Sequence, residues 1–166
     1  QRAVGYSLLG GNREHYMFFT HGPTSTGKST FIEAIRAALG DYASTADFEV
    51  FAKRGNSGGP RPELVSAQGS RLLFSSEIES ERALNAGLLK QVTGGDAITA
   101  RALYGHPMTF VPTYTCWLAA NDPPEFPGHD DAVWRRVVCI PFTNQIAASE
   151  RDPSLAIRLC ENPAVR

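Results

Sequence analysis

One nine-residue run limits what this chain can become. Gly22-Pro23-Thr24-Ser25-Thr26-Gly27-Lys28-Ser29-Thr30 satisfies G-x-x-x-x-G-K-[ST] without a gap. The apolar, aromatic run Tyr16–Thr20 precedes it, after the turn residues Gly10, Gly11 and Asn12, and reads as a buried strand. From Ser29 to Leu39, Phe31, Ile32, Ile35 and Leu39 recur at helical spacing, and Gly40 is a stop. Strand, glycine-bounded loop and helix together form the context a phosphate-binding loop needs. Glycines let backbone N–H groups turn inward toward phosphate oxygens, and the helix N-terminus adds partial positive charge. Lys28 is then expected to reach the β- and γ-phosphates and the Ser29 hydroxyl to ligate Mg²⁺. A chance glycine turn lacks this combination. Gly22 to Thr30 therefore predicts ATP and Mg²⁺ as the bound species, but a phosphate loop says nothing of what the energy drives.

Such a site needs an acid at the carboxyl end of a neighbouring strand, to hold the metal's water shell and activate the attacking water. Arg71–Phe74 (RLLF) reads as a second buried strand, and Ser75–Glu79 follows it. Glu77 is the leading candidate as base and metal-shell ligand, with Glu79 as its rival; a capping or solvated glutamate is the bland alternative for either. A third buried strand, Tyr114–Ala120 (YTCWLAA), ends at Asn121. Asn121 is placed to hydrogen-bond a nucleotide, or to form a turn ahead of Asp122-Pro123.

Between these landmarks, Gln1–Gly11 reads as the end of an incoming helix. Asp41–Pro62, with Gly55, Gly58, Gly59 and Pro60, reads as a mobile surface connection holding a turn of helix around Phe48–Lys53. Glu81–Val92 carries Leu84, Leu88, Leu89 and Val92 and predicts a helix. Ile98–Tyr104 and Met108–Val111 flank Gly105-His106-Pro107 and predict a hairpin. Asp122–Gly128 is a Pro-rich loop, and Trp134–Phe142 carries a final strand, VVCIPF, just after Arg135 and Arg136. Strands alternating with helices argue an α/β fold with a central parallel sheet flanked by helices. At 166 residues the chain suits one domain, and its unmarked ends suggest a domain excised from a longer protein.

Net charge is −1, so a nucleic-acid site would have to be a local patch. The hairpin offers Arg101, Tyr104 and His106, with Lys90 upstream: cations for a backbone and an aromatic for stacking. A solvated hairpin would carry the same residues. Arg135 and Arg136 enter a strand on opposite faces, so one can meet a partner's phosphate while the other pairs with Asp130 or Asp131; two surface salt bridges are the alternative. Cys116, Cys139 and Cys160 form no CxxC pair, and His15, His21 and His129 show no metal spacing. No signal segment or membrane-length apolar run is present, so a cytoplasmic protein is expected.

GPTSTGKST, LLFSSEIE, LLKQVTGGDAITARALY, WLAANDPPEF and DAVWRRVVCIPF follow in that order. This series, from about residue 16 to the end, resembles the superfamily 3 helicase core of phage and plasmid primase-helicases, an AAA+ class of P-loop ATPase. The run Lys90–Tyr104 and the WRR segment carry more of the likeness than the loop. The resemblance implies a DNA helicase motor: a ring, hexameric where collar regions are present, that hydrolyses ATP to move 3′ to 5′ along single-stranded DNA in a bacterial host cell. By position it implies that Asn121 is the polar sensor of the γ-phosphate or water. Arg136, or Arg135, would be the arginine finger offered to a neighbour, and the hairpin within 98–111 would face the channel. Two departures stand out: Ser76 precedes the acid where the family has a second acid, and neither an amino-terminal collar nor a primase region is seen. Two other readings stay open, a P-loop ATPase that loads or packages rather than unwinds, and a nucleotide- or DNA-binding module.

Overall fold

The computed structural model describes residues 1–53, 60–75, 83–123, 126 and 130–161. Among the described residues, seven strands divide into two sheets. β1 (Met17–His21), β2 (Ala43–Thr45), β3 (Leu72–Ser75), β6 (Thr115–Ala120) and β7 (Val137–Pro141) form a five-stranded sheet in the order β2-β3-β6-β1-β7. Every pairing in it is parallel. β4 (Ile98–Arg101) and β5 (Pro107–Phe110) form a separate antiparallel hairpin. This is a mixed α/β fold with a central parallel sheet between helical layers, as expected.

Alternation along the strands sorts the core into two layers. Phe18, Leu72, Phe74, Trp117 and Ala119 face α1 (Arg2–Leu8) and α2 (Lys28–Leu39), whose Val4, Tyr6, Phe31, Ile35 and Leu39 cover them. The Trp117 indole N–H donates to the buried Ser7 hydroxyl at 3.0 Å, which fixes α1 on this face. Met17, Phe19, Leu73, Cys116 and Leu118 face the other way. There they meet Leu64 of α3 (Pro62–Ser66), Leu88, Leu89 and Val92 of α4 (Ala86–Thr93), and Ile98, Ala100 and Phe110 of the hairpin. Apolar side chains alternating on strands and recurring at i, i+3, i+4 on helices produce this layering directly.

Several expectations change. The Asp41–Pro62 stretch is not a surface connection up to residue 53. It holds the edge strand β2 and a 3₁₀ turn, Phe48–Val50, and it buries Phe48, Val50, Phe51 and Ala52 beneath the sheet. The turn of helix anticipated near Phe48 is this 3₁₀ turn, capped by the Asp47 carboxylate, which accepts from the Glu49 N–H. Residues 54–59 lie outside the described set. Three helices went unanticipated: α3, α5 (Asp131–Trp134) and α6 (Leu155–Glu161). Among the described residues, no helix is long and apolar enough to cross a membrane.

Candidate functional site

The Gly22–Thr30 loop leaves the carboxyl end of β1, which lies inside the sheet between β6 and β7. The chain leaving β1 travels to the β2 edge, whereas the chain leaving β6 crosses to β7 on the opposite edge. Crevices of parallel sheets open at such a reversal, at the strands' carboxyl ends. A cleft of about 310 Å³ lies there, lined by Thr24 to Thr30 and Asn121.

The loop's shape is set by its backbone. The Gly22 N–H donates to the Asn121 carbonyl at 3.1 Å, tying the loop to the end of β6. Gly22 has φ +144°, and a Cβ there would overlap the Phe142 carbonyl, approaching its carbon to 2.9 Å. Gly27 has φ +85° and is the N-cap of α2, with no side chain capping the helix. Leading N–H groups of α2 therefore stay available to an anion in the cleft. Ser25, at the crest, adopts φ +60°, a left-handed conformation rare outside glycine.

The Lys28 ammonium folds back over the loop, donating to the carbonyls of Gly22 at 2.5 Å and Pro23 at 2.7 Å. Burial pulls its pKa below the ordinary lysine value. An ammonium held on two carbonyls and the Thr26 hydroxyl has its charge only partly satisfied, and a phosphate oxygen is a stronger acceptor. Ser29 lines the same cleft and is exposed. Glu77 and Glu79 lie outside the described residues. Just before them, at the end of β3, the Ser75 hydroxyl is buried and has no hydrogen-bond partner among the described residues. The donor set fits Mg·ATP: bare N–H groups, one cation, a free hydroxyl and an orphaned buried hydroxyl one strand away.

The other anticipated residues lie elsewhere. Arg136 sits just before β7, and its carbonyl accepts from the Met17 N–H at 2.8 Å. Since Met17 pairs with Val137 and His21 with Pro141, the arginines lie at the amino end of the sheet, opposite the cleft. Six residues of strand amount to ~20 Å. The Arg136 guanidinium donates to the Ala132 carbonyl at 2.5 Å and buries an unpartnered Nε; Arg135 is exposed, beside Asp131 and Trp134 in a shallow depression. Asp130 pairs not with an arginine, as expected, but with Lys90, Nζ to Oδ2 at 2.7 Å. That bond, at the last turn of α4, holds the Asp130 carboxyl below its usual range. Lys90 thus braces α4 against α5. Arg101, Tyr104 and His106 are exposed together on the hairpin, with Tyr104 at the tip, 99% exposed and at φ +60°. Leu103 and Met108 are exposed beside them, an apolar contribution absent from the sequence reading. Among the described residues, no group of three or more His, Cys, Asp or Glu is placed to hold a metal ion.

Comparison with known proteins shows the family and the fold. A family model described as "Family of unknown function (DUF5906)" matches residues 20–136. "Putative helicase L207/L206" of Acanthamoeba polyphaga mimivirus is 36% identical over 139 residues, covering 83% of this chain and 14% of that protein. "Putative helicase V13" of Sputnik virophage is 29% identical over 143 residues, covering 82% of this chain and 18% of that protein. The chain thus spans less than a fifth of either relative. Among solved structures, the apo A form of the NrS-1 C-terminal region (305–718) superposes with TM-score 0.65 at 13% identity, covering 96% of this chain and 38% of that one. At that identity the likeness is one of fold.

Proposed function

From its place in the DUF5906 family, to which the chain belongs, we propose that this domain is the ATP-hydrolysing motor of a viral replicative DNA helicase. On this reading it is an AAA+-type P-loop ATPase of the superfamily 3 class. The observation that carries the reading is the cleft itself: Lys28, Ser29, the uncapped start of α2 and Asn121 line one crevice at the carboxyl ends of β1 and β6. The viral relatives support the rest, since proteins similar across most of this chain bear the name "putative helicase".

In the proposed mechanism the loop N–H groups and the Lys28 ammonium bind the β- and γ-phosphates, Lys28 exchanging its carbonyl partners for phosphate oxygens. Ser29 would hold Mg²⁺, which would supply charge neutralisation to the bound phosphates. Asn121 orients the attacking water, and Glu77 takes its proton. Arg136 or Arg135, ~20 Å from the cleft of its own subunit by strand length, completes a neighbour's site, so the working form is a ring. Arg101, Tyr104 and His106 of the hairpin grip single-stranded DNA. Lys90 contributes there only if it releases Asp130. A linked primase region, a hexameric ring and a cytoplasmic setting belong to the same proposal, and the viral relatives favour a virus over a plasmid as the source.

The test is calorimetric titration with Mg·ATP, followed by strand displacement on a tailed duplex. The parent chain should bind, and Lys28→Ala should bind at least tenfold more weakly with its fold unchanged, since a charge-assisted bond contributes about 1.5–3 kcal/mol. Equal affinity in the two proteins would remove the assignment.

A further inference from the structure

The segment following β7 meets the end of β1 and the loop at four successive points, three of them hydrogen bonds. The Phe142 N–H donates to the His21 carbonyl at 2.7 Å, continuing the β1–β7 ladder past its end. The Phe142 carbonyl fills the space a Gly22 side chain would take. The Gln145 side-chain amide donates to the Thr24 carbonyl at 3.2 Å. The Ile146 N–H donates to the carbonyl of Ser25, at 2.9 Å. Ser25 is the residue at φ +60°. A left-handed non-glycine residue costs on the order of 1–3 kcal/mol and persists only where its surroundings over-determine it.

The segment is itself anchored. The Phe142 ring lies 5.6 Å from Phe31 of α2, the helix that starts at Lys28. The Ile146 carbonyl accepts from the Arg151 guanidinium at 3.1 Å. Arg158 of α6 pairs with Asp152, and the Cys160 thiol of α6 contacts the Glu33 carbonyl of α2 at 3.7 Å.

We infer that Phe142–Ile146 is a strap that holds the crest of the loop open for an anion, with Gln145 and the Ile146 N–H as its positioning groups. The strap turns the Thr24 and Ser25 carbonyls toward itself. Carbonyls so engaged point away from an incoming phosphate, and the N–H groups of the same peptides are left to face it. Gln145 touches no phosphate and acts only through the loop. The inference rests on the nucleotide reading for its ligand, but the loop geometry can be measured without one.

The test uses Gln145→Met, which keeps size and neutrality but cannot donate, and Ile146→Pro, which deletes the other donor. The readouts are Mg·AMP-PNP titration and amide hydrogen exchange across Thr24–Gly27 in ligand-free protein. Each variant should melt within a few degrees of the parent, weaken AMP-PNP binding about threefold to fivefold per lost bond, and speed exchange at the loop. Adding Ser25→Gly to either should recover most of the affinity, because glycine reaches φ +60° without the steric strain that the strap otherwise offsets; a strap with a merely structural role would show no such rescue. Unchanged affinity and exchange in both variants overturns the inference. Weakened binding without rescue by Ser25→Gly also overturns it. A parent that binds no nucleotide removes the nucleotide reading instead, and loop exchange alone then decides the strap: faster in both variants sustains it, unchanged refutes it.

Discussion

Gly22→Ala is the substitution on which the geometry speaks most sharply. A methyl group there overlaps a backbone carbonyl rather than a flexible side chain, and approaches the Phe142 carbonyl carbon to 2.9 Å, against an ordinary contact beyond 3.4 Å. Either β7 moves outward at its end or the loop changes shape. Overpacking of this kind typically costs about 1–3 kcal/mol, and alanine at φ +144° adds on the order of 1–3 kcal/mol. Outward movement also loses the 2.7 Å bond from Phe142 to His21, about 1 kcal/mol. A loss of about 4 kcal/mol corresponds to ~8–16 °C in a domain of this size. Gly27→Ala is the matched control: its φ is +85°, yet an added Cβ meets nothing within 4 Å. It carries conformational strain alone, about 1–2 kcal/mol, or ~2–8 °C. Paired thermal melts followed by circular dichroism read the difference. Equal drops in Tm for both, or a neutral Gly22→Ala, would refute the account of how β7 shapes the loop.

Replacing Arg101 and His106 with alanine should weaken single-stranded DNA binding and flatten its salt dependence by about one unit of log–log slope for the lost arginine, measured by fluorescence anisotropy across a salt series. Tyr104→Ala should weaken it with the slope unchanged, since stacking releases no counterion; loss of slope on Tyr104→Ala would assign the hairpin differently. Asp130 should titrate below the ordinary carboxylate value of about 3.9. Because the folded pKa is depressed, the pair's contribution is complete above that value and disappears as pH falls through the folded pKa. Carbon-13 NMR of Lys90→Met should show the Asp130 carboxyl rising toward the usual range, and no movement would mean that Lys90 is not what holds it down.

The central strands were legible because each is a short apolar run ended by a polar or turn residue: Met17–His21, Leu72–Ser75 and Thr115–Ala120 fall within a residue of the expected limits. The hairpin was legible from its turn. β2 was not, because Ala43-Ser44-Thr45 is three small residues whose strand character comes only from pairing with β3. Phe48, Val50 and Phe51 were hidden by acidic neighbours and by the glycines that follow, although three large apolar residues in four positions were a usable sign of burial. α5 and α6 each had a readable start. Asp130 caps the Val133 N–H, and Asp152 accepts from the Ser154 N–H ahead of Leu155, Ile157 and Leu159. Within the site, the loop and the position of Asn121 could be read from sequence. The strap could not: its bonds run from Gln145 and Ile146 to Thr24 and Ser25, more than a hundred positions away, mostly through backbone atoms that leave no mark on residue type.

Mixing two inactive variants tests whether the motor's catalytic sites are shared between copies. Lys28→Ala lacks the phosphate contact but keeps both arginines; a variant with Arg135→Ala and Arg136→Ala together keeps the cleft but lacks either arginine that could be offered across the interface. An arginine supplied in trans contributes on the order of 10³-fold or more to turnover, so each variant alone should be nearly inactive. Mixed in equal amounts, with co-assembly verified by light scattering, they should recover a measurable fraction of the parent's ATP turnover, and that fraction should grow with protein concentration. Co-assembled mixtures that recover nothing, beside a parent whose turnover per subunit is independent of concentration, would contradict the shared-site motor.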